Sequence, residues 1–148
     1  MRKRLKIVLG FALALLLAGT AGALWAVHRS LVAVRDSYAQ WDLALATIQY
    51  MKEHTGTWPP NWSSLHEAYT TTPNLRGPGP WEDVTNRADM DFAVNSSIML
   101  TQQFRRVIWL RNGRNHHWTG AEPNELIRDY LAQRTSTSGA ANAAPPHR

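Results

Sequence analysis

The sequence predicts an α+β protein carried by a membrane helix. Three observations lead there. Ile7 to Val27 is a run of 21 residues without a charge, where a helix needs about 20 to cross the hydrocarbon core. Tyr38, Trp41, Leu45, Ile48 and Lys52 follow at spacings of three and four, an apolar stripe on a second stretch of helix. Further on, Met90, Phe92 and Val94 alternate with Asp89, Asp91 and Ala93, and Phe104 to Arg111 is bulky and β-branched, the marks of a small antiparallel sheet.

Of the 16 Lys and Arg residues, Arg2, Lys3, Arg4 and Lys6 precede the apolar run as a basic leader, 1–6. From Ile7 onward twelve basic residues face eleven acidic ones. The net charge of +5 therefore describes the leader and no basic binding surface, so no nucleic-acid partner is expected. The leader places the N-terminus in the cytoplasm by the positive-inside bias, and Trp25 suits the far headgroup boundary. The expected location is a cytoplasmic (inner) membrane, crossed once by 7–27, with the rest of the chain outside. The competing reading is a secretory signal peptide cleaved after Ala21-Gly22-Ala23, which 21 apolar residues argue against by length. Gly10, Gly19 and Gly22 are the candidate helix-association face in the bilayer.

No Gly or Pro occurs from Ala23 to Thr55, so the membrane helix and the outer amphipathic helix are either one helix or two joined near His28 to Ser30. Gly56 stands where a left-handed residue ends a helix, and Pro59 and Pro60 forbid its continuation. Asn61 or Ser63 caps a short helix reaching about Tyr69. Thr70 to Pro80, rich in Thr, Pro and Gly, is a surface loop. Asn112-Gly113 favours a two-residue hairpin turn, which sets Arg111 opposite Arg114, Leu110 opposite Asn115, Trp109 opposite His116, Ile108 opposite His117 and Val107 opposite Trp118. Glu122-Pro123 opens a C-terminal helix with Leu126, Ile127, Tyr130 and Leu131 on one side, ending near Arg134. Residues 28–134 thus form one extracytoplasmic domain, and 135–148, without a large apolar residue, a disordered tail.

The chemistry-bearing residues are sparse. Cysteine is absent, which excludes disulfides, thiolate metal sites and cysteine nucleophiles. Six histidines lack any two-on-one-face metal spacing. His116 and His117 are adjacent in an expected strand and point to opposite faces. Asp89 and Asp91 share one strand face, read as its wet side. No G-x-S-x-G turn presents a serine, and prolines interrupt Gly77 and Gly79, so no phosphate cradle is present. Sequons at Asn61 and Asn95 carry meaning only in a glycosylating compartment. No metal or cofactor is expected. A small hydrolase or metal-dependent enzyme requires His54, His66 or His116 to converge with Asp89 or Asp91.

Seven tryptophans are the most unusual feature. Trp41 and Trp109, on apolar stripes, are expected in the core, whereas Trp58 and Trp62, around two prolines, are expected to stay partly exposed as the candidate interaction surface.

Gly10-Phe11 opening an apolar run, the stripe Trp41, Leu45 and Ile48, and Tyr50 through Gly56 followed by Trp58-Pro59 together resemble the type IV pilins and type II secretion pseudopilins over about the first 70 residues. That resemblance implies a long N-terminal helix packed on a small sheet, filament-like assembly through the membrane helix, and no catalysis. The expected role is protein interaction or assembly, with lipid, a protein partner or a second copy as what the chain touches.

Overall fold

The computed structural model describes residues 2–77, 79–94, 99–100, 106–114, 118 and 120–142. Four helices and a two-stranded sheet are present among them: α1 (Arg2–Glu53), α2 (Trp62–Thr71), α3 (Trp81–Arg87), β1 (Ala88–Met90), β2 (Ile108–Leu110) and α4 (Pro123–Asn142). The chain is mostly helical and broadly α+β. It divides into two units, Met1–Arg35 and Asp36–Arg148.

The first unit is helix alone. From Ile7 to Val27 every side chain is exposed, and the segment is long and apolar enough to cross a membrane. Its polar side chains are satisfied locally: the Thr20 hydroxyl donates to the carbonyl of Leu17 at 2.9 Å, and that of Ser30 to the carbonyl of Ala26 at 3.0 Å. The Arg29 guanidinium lies 5.2 Å from the centre of the Trp25 ring, one turn back.

The second unit is built on the rest of α1. The stripe read from the sequence is not its core face. Tyr38 is exposed, Trp41, Leu45 and Ile48 are half-buried, and Lys52 is exposed. The buried side chains centre on Asp36, Ala39, Gln40, Leu43, Ala46, Thr47, Tyr50 and Met51, a second set at spacings of three and four on the other side of the helix, with Asp42 and Ala44 buried at its edges. This side mixes small residues, Ala39 and Ala46, with the larger Leu43, Tyr50 and Met51 and with hydrogen-bonded Asp36 and Thr47. The large apolar residues that drew the eye lie on its flank. α1 ends as expected near Gly56, with the N–H of Gly56 reaching the carbonyl of Met51 at 2.7 Å. Both Thr55 (φ 53°) and Gly56 (φ 85°) are left-handed, so a threonine takes the turn usually given to glycine.

Asn61 caps α2, its side-chain oxygen accepting the N–H of Ser64 at 3.0 Å. α3 falls in a stretch for which the sequence offered no element, and it leads directly into β1. β1 and β2 pair antiparallel, with Ala88 opposite Leu110, Asp89 opposite Trp109 and Met90 opposite Ile108. The strand expected to run on through Phe92 and Val94 stops at Met90, because the Asp91 side chain accepts the N–H of Ala93 at 2.9 Å and turns the chain. Ile108 and Leu110 face the core while Trp109, 37% exposed, faces away, which corrects its placement in the core. The turn after β2 is centred one residue earlier than expected. The N–H of Gly113 bonds the carbonyl of Leu110 at 3.0 Å, and Gly113 is left-handed (φ 69°). Of the expected return strand, Arg114 to Trp118, residues 115–117 lie outside the described residues, and Arg114 and Trp118 are in no strand.

Ile127 and Leu131 of α4 are buried, and Leu126 and Tyr130 half-buried. The helix does not end at Arg134 but continues to Asn142. The hydroxyls of Thr135, Ser136 and Thr137 donate to the carbonyls of Leu131, Ala132 and Gln133 at 2.9–3.0 Å, so these polar side chains are accommodated within the helix. Residues 135–142 belong to this helix, and residues 143–148 lie outside the described residues. One apolar cluster joins Leu43 and Met51 of α1, Leu65 of α2, Val84 of α3, Met90 and Ile108 of the strands, and Ile127 and Leu131 of α4.

Candidate functional site

The aromatic residues around the tryptophan-proline turn divide in two. Trp58 is 8% exposed and its indole N–H donates to the carbonyl of Asp91 at 3.0 Å. It is a core residue, not the exposed one expected, because two following prolines stiffen the turn inward and a carbonyl stands ready for the buried N–H. Trp62 remains half-buried. Its ring meets Trp81 edge-on at 5.8 Å and Phe92 edge-on at 5.0 Å. Trp81 in turn stacks on His66 at 5.1 Å and tilts against Tyr69 at 5.1 Å. An open cleft of about 390 Å³ runs beside this group, lined by His66, Tyr69, Thr70, Thr72, Leu75, Gly79 and Trp81.

Two buried carboxylates on α1 tie the cleft and the sheet to the helix. Asp42 accepts the backbone N–H groups of Arg76 at 2.7 Å and Gly77 at 2.9 Å, one on each oxygen. Burial raises its pKa above the ordinary 3.8, against the two amides and the Arg76 charge, which lower it. Arg76 itself stands 4.0 Å over the Trp41 ring. Tyr69 donates its phenol to the carbonyl of Gly79 at 3.3 Å, and burial first, then the Asp42 charge, raises its pKa above 10.0. Asp36 accepts from the Arg87 guanidinium and from the Asn112 side chain, each at 2.8 Å. Neither carboxylate was singled out in the sequence. The available signal was that Asp36, Ala39, Leu43, Ala46 and Tyr50 repeat at three and four just as regularly as the heavier stripe.

The histidines and strand aspartates have separate structural partners. His54 stacks on Tyr50 at 3.9 Å and its Nδ1 lies 2.9 Å from the Tyr50 carbonyl. His66 lies on Trp81. Asp89 pairs with Arg111 at 3.4 Å, and Asp91 turns the chain after β1. His116 and His117 lie outside the described residues. Among the described residues no group of three or more His, Asp or Glu is placed to hold a metal ion.

On the apolar part of α1, a β-carbon added to Gly10, Gly19 or Gly22 would meet nothing within 4 Å. The three do not form one face. At about 100° per residue, the nine positions from Gly10 to Gly19 are two and a half turns and place them on opposite sides, while Gly19 and Gly22 share a side. Beside Gly10 the missing side chain leaves a shallow groove lined by Leu9, Ala12, Leu13 and Leu16.

No family model, no curated protein and no solved structure matches this chain.

Proposed function

We propose that the protein is anchored in a cytoplasmic membrane by residues 7–27, exposes its second unit outside the cytoplasm, and acts by protein interaction or assembly. The observation that carries this reading is the helix from Ile7 to Val27, apolar and exposed throughout. So many exposed large apolar side chains are tolerated in lipid and not in water. The half-buried aromatic group of Trp62 and Trp81, with its open cleft, gives the outer unit a surface suited to a protein partner.

A pilin-like filament subunit is the second reading. It is favoured by one helix, α1, carrying both the apolar segment and core residues of the second unit, and by the cap at Thr55-Gly56 followed by Trp58-Pro59.

Alkaline extraction of membranes with an intact-mass measurement of the chain tests the anchor. A chain that stays in the pellet with its N-terminal segment supports it. A chain beginning near Leu24, released with the soluble fraction, overturns it. Processing after Gly10, leaving Phe11 first, selects the pilin-like form.

A further inference from the structure

One side of α1 repeats with a period that one membrane helix alone does not need. Leu24, Val27, Leu31, Val34, Tyr38, Trp41, Leu45 and Ile48 are separated by three, four, three, four, three, four and three residues. This is an unbroken heptad pattern, whose period of 3.5 marks helices that wind around one another. In the first unit its members are bare: Leu24 is 72%, Leu31 58% and Val34 45% exposed. Leu31 and Val34 lie beyond the apolar run that ends at Val27, where a side chain bound only for lipid has no reason to keep the register. In the second unit the same register sets Tyr38, Trp41, Leu45 and Ile48 on the flank, and places Asp36, Ala39, Leu43, Ala46 and Tyr50 on the back, where the domain's own core takes them. The domain itself covers much of this side there, with Arg76 4.0 Å over the Trp41 ring, Trp118 5.9 Å from it and Ile48 packed against the core, so the bare part of the seam is Leu24 to Val34.

The pattern also extends backward. Counting the same steps from Leu24 reaches Thr20, Leu17, Leu13 and Gly10, and the shallow groove on the apolar helix lies at Gly10 and Leu13. Gly19 and Gly22 are on the opposite side. We infer that the seam from Leu24 to Val34 is covered by second copies of this chain, packed parallel and in register. This rests on the membrane-anchored reading, since copies inserted the same way round in one membrane have their seams parallel and at the same depth. The flanking positions agree. In a parallel pair His28 faces Ala23 of the next copy and Arg35 faces Ser30, so no two like charges meet. Leu at the first seam position and β-branched Val at the second suit three or four strands better than two.

The chain has no cysteine, so single cysteines report on contacts without background. Leu31→Cys and Val34→Cys, each in the full chain in native membranes, are expected to give disulfide-linked dimers on mild oxidation, whereas Arg29→Cys and Val32→Cys, on the back of the helix, give none above background. Equal cross-linking at all four sites, or none at Leu31 and Val34, overturns the seam. Linkage of Leu24→Cys to Leu31→Cys in mixed membranes, without linkage of Leu31→Cys to itself, shows a staggered assembly and also overturns it. Alkaline extraction of the same membranes reports on the anchor separately. Seam-specific dimers in chains that wash off keep the self-association and reject the anchor, while back-face or absent linkage in chains that stay rejects the seam and keeps the anchor.

Discussion

The carboxylate of Asp42 accepts the backbone N–H of Gly77 at 2.9 Å, across 35 residues of sequence. With the Arg76 amide on its other oxygen, it fixes the loop before α3 to the C-terminal part of α1. Because burial holds the folded pKa above 3.8, the ionised form carries a penalty at neutral pH. That penalty is fully present above the folded pKa and is gone below 3.8, so stability from this group is lost as pH rises through the interval. In urea unfolding of the detergent-solubilised chain over a pH series, the stability of wild type relative to Asp42→Asn is expected to increase as pH falls through that window. A difference that is flat with pH, or that narrows on acidification, is the contrary result.

Gly77 is required by closeness and not by turn geometry. A β-carbon there would stand 2.9 Å from Tyr38 Cβ and 3.4 Å from the Asp42 carboxylate. Gly77→Ala is therefore expected to destabilise by about 1–3 kcal/mol. Gly79→Ala meets only the Gly77 carbonyl at 3.6 Å, and its effect should stay within about 1 kcal/mol. Thermal unfolding of both variants decides it, and equal effects refute the close approach.

Those two residues also show what the sequence made legible. Signals that act on near neighbours were readable: the 21-residue apolar run, the stop at Gly56, the Asn61 cap and the proline-opened α4. What depends on distant partners was not. Large side chains at 38, 41, 45 and 48 looked like the core face, yet the buried side carries Ala39 and Ala46 beside Leu43 and Met51, a set of lower bulk that the remote elements complete. Asp36 and Asp42 are charged, so composition places them outside, and only remote donors at Arg87, Asn112, Arg76 and Gly77 make their burial possible. Trp58 was misplaced for the same reason, its acceptor lying 33 residues away.

Asn124 is buried at the start of α4 and holds β2 in place. Its side-chain oxygen accepts the N–H groups of Val107 and Ile108, both at 2.8 Å, and its amide donates to the Ile108 carbonyl at 3.2 Å. Asn124→Ala removes the acceptor of two buried amides, and a loss of about 2–4 kcal/mol is expected in chemical denaturation. A loss under about 1 kcal/mol would mean the strand does not depend on this clamp.

Two tryptophans expected to behave oppositely in the sequence are expected to exchange roles in mutagenesis. Trp58→Phe forfeits the bond to the Asp91 carbonyl inside the core and should cost about 1–2 kcal/mol, whereas Trp109→Phe, on the outward face of the sheet, should cost less than about 0.5 kcal/mol. Tm shifts in the reverse order would contradict the burial pattern.

Leu131→Ala probes the C-terminal boundary. The side chain is 4% exposed and belongs to the apolar cluster, so about 2–4 kcal/mol should be lost. Thr135→Ala, one turn later and exposed, should change stability by less than about 0.5 kcal/mol. Comparable losses at both sites would carry the core past Arg134.

The bond from Asn112 to Asp36 spans 76 residues, and its consequence lies in time. A chain made from its N-terminus at roughly 5–20 residues per second produces Asp36 roughly 4–15 s before its partner exists. Through that interval the rear side of α1 can close on α2, α3 and β1 but not on β2 or α4, and contacts so distant in sequence are slow to find one another even afterwards. The second unit therefore matures late, as a whole, and a holding factor that shields nascent chains has its longest opportunity on the stretch from Asp36 to Glu53.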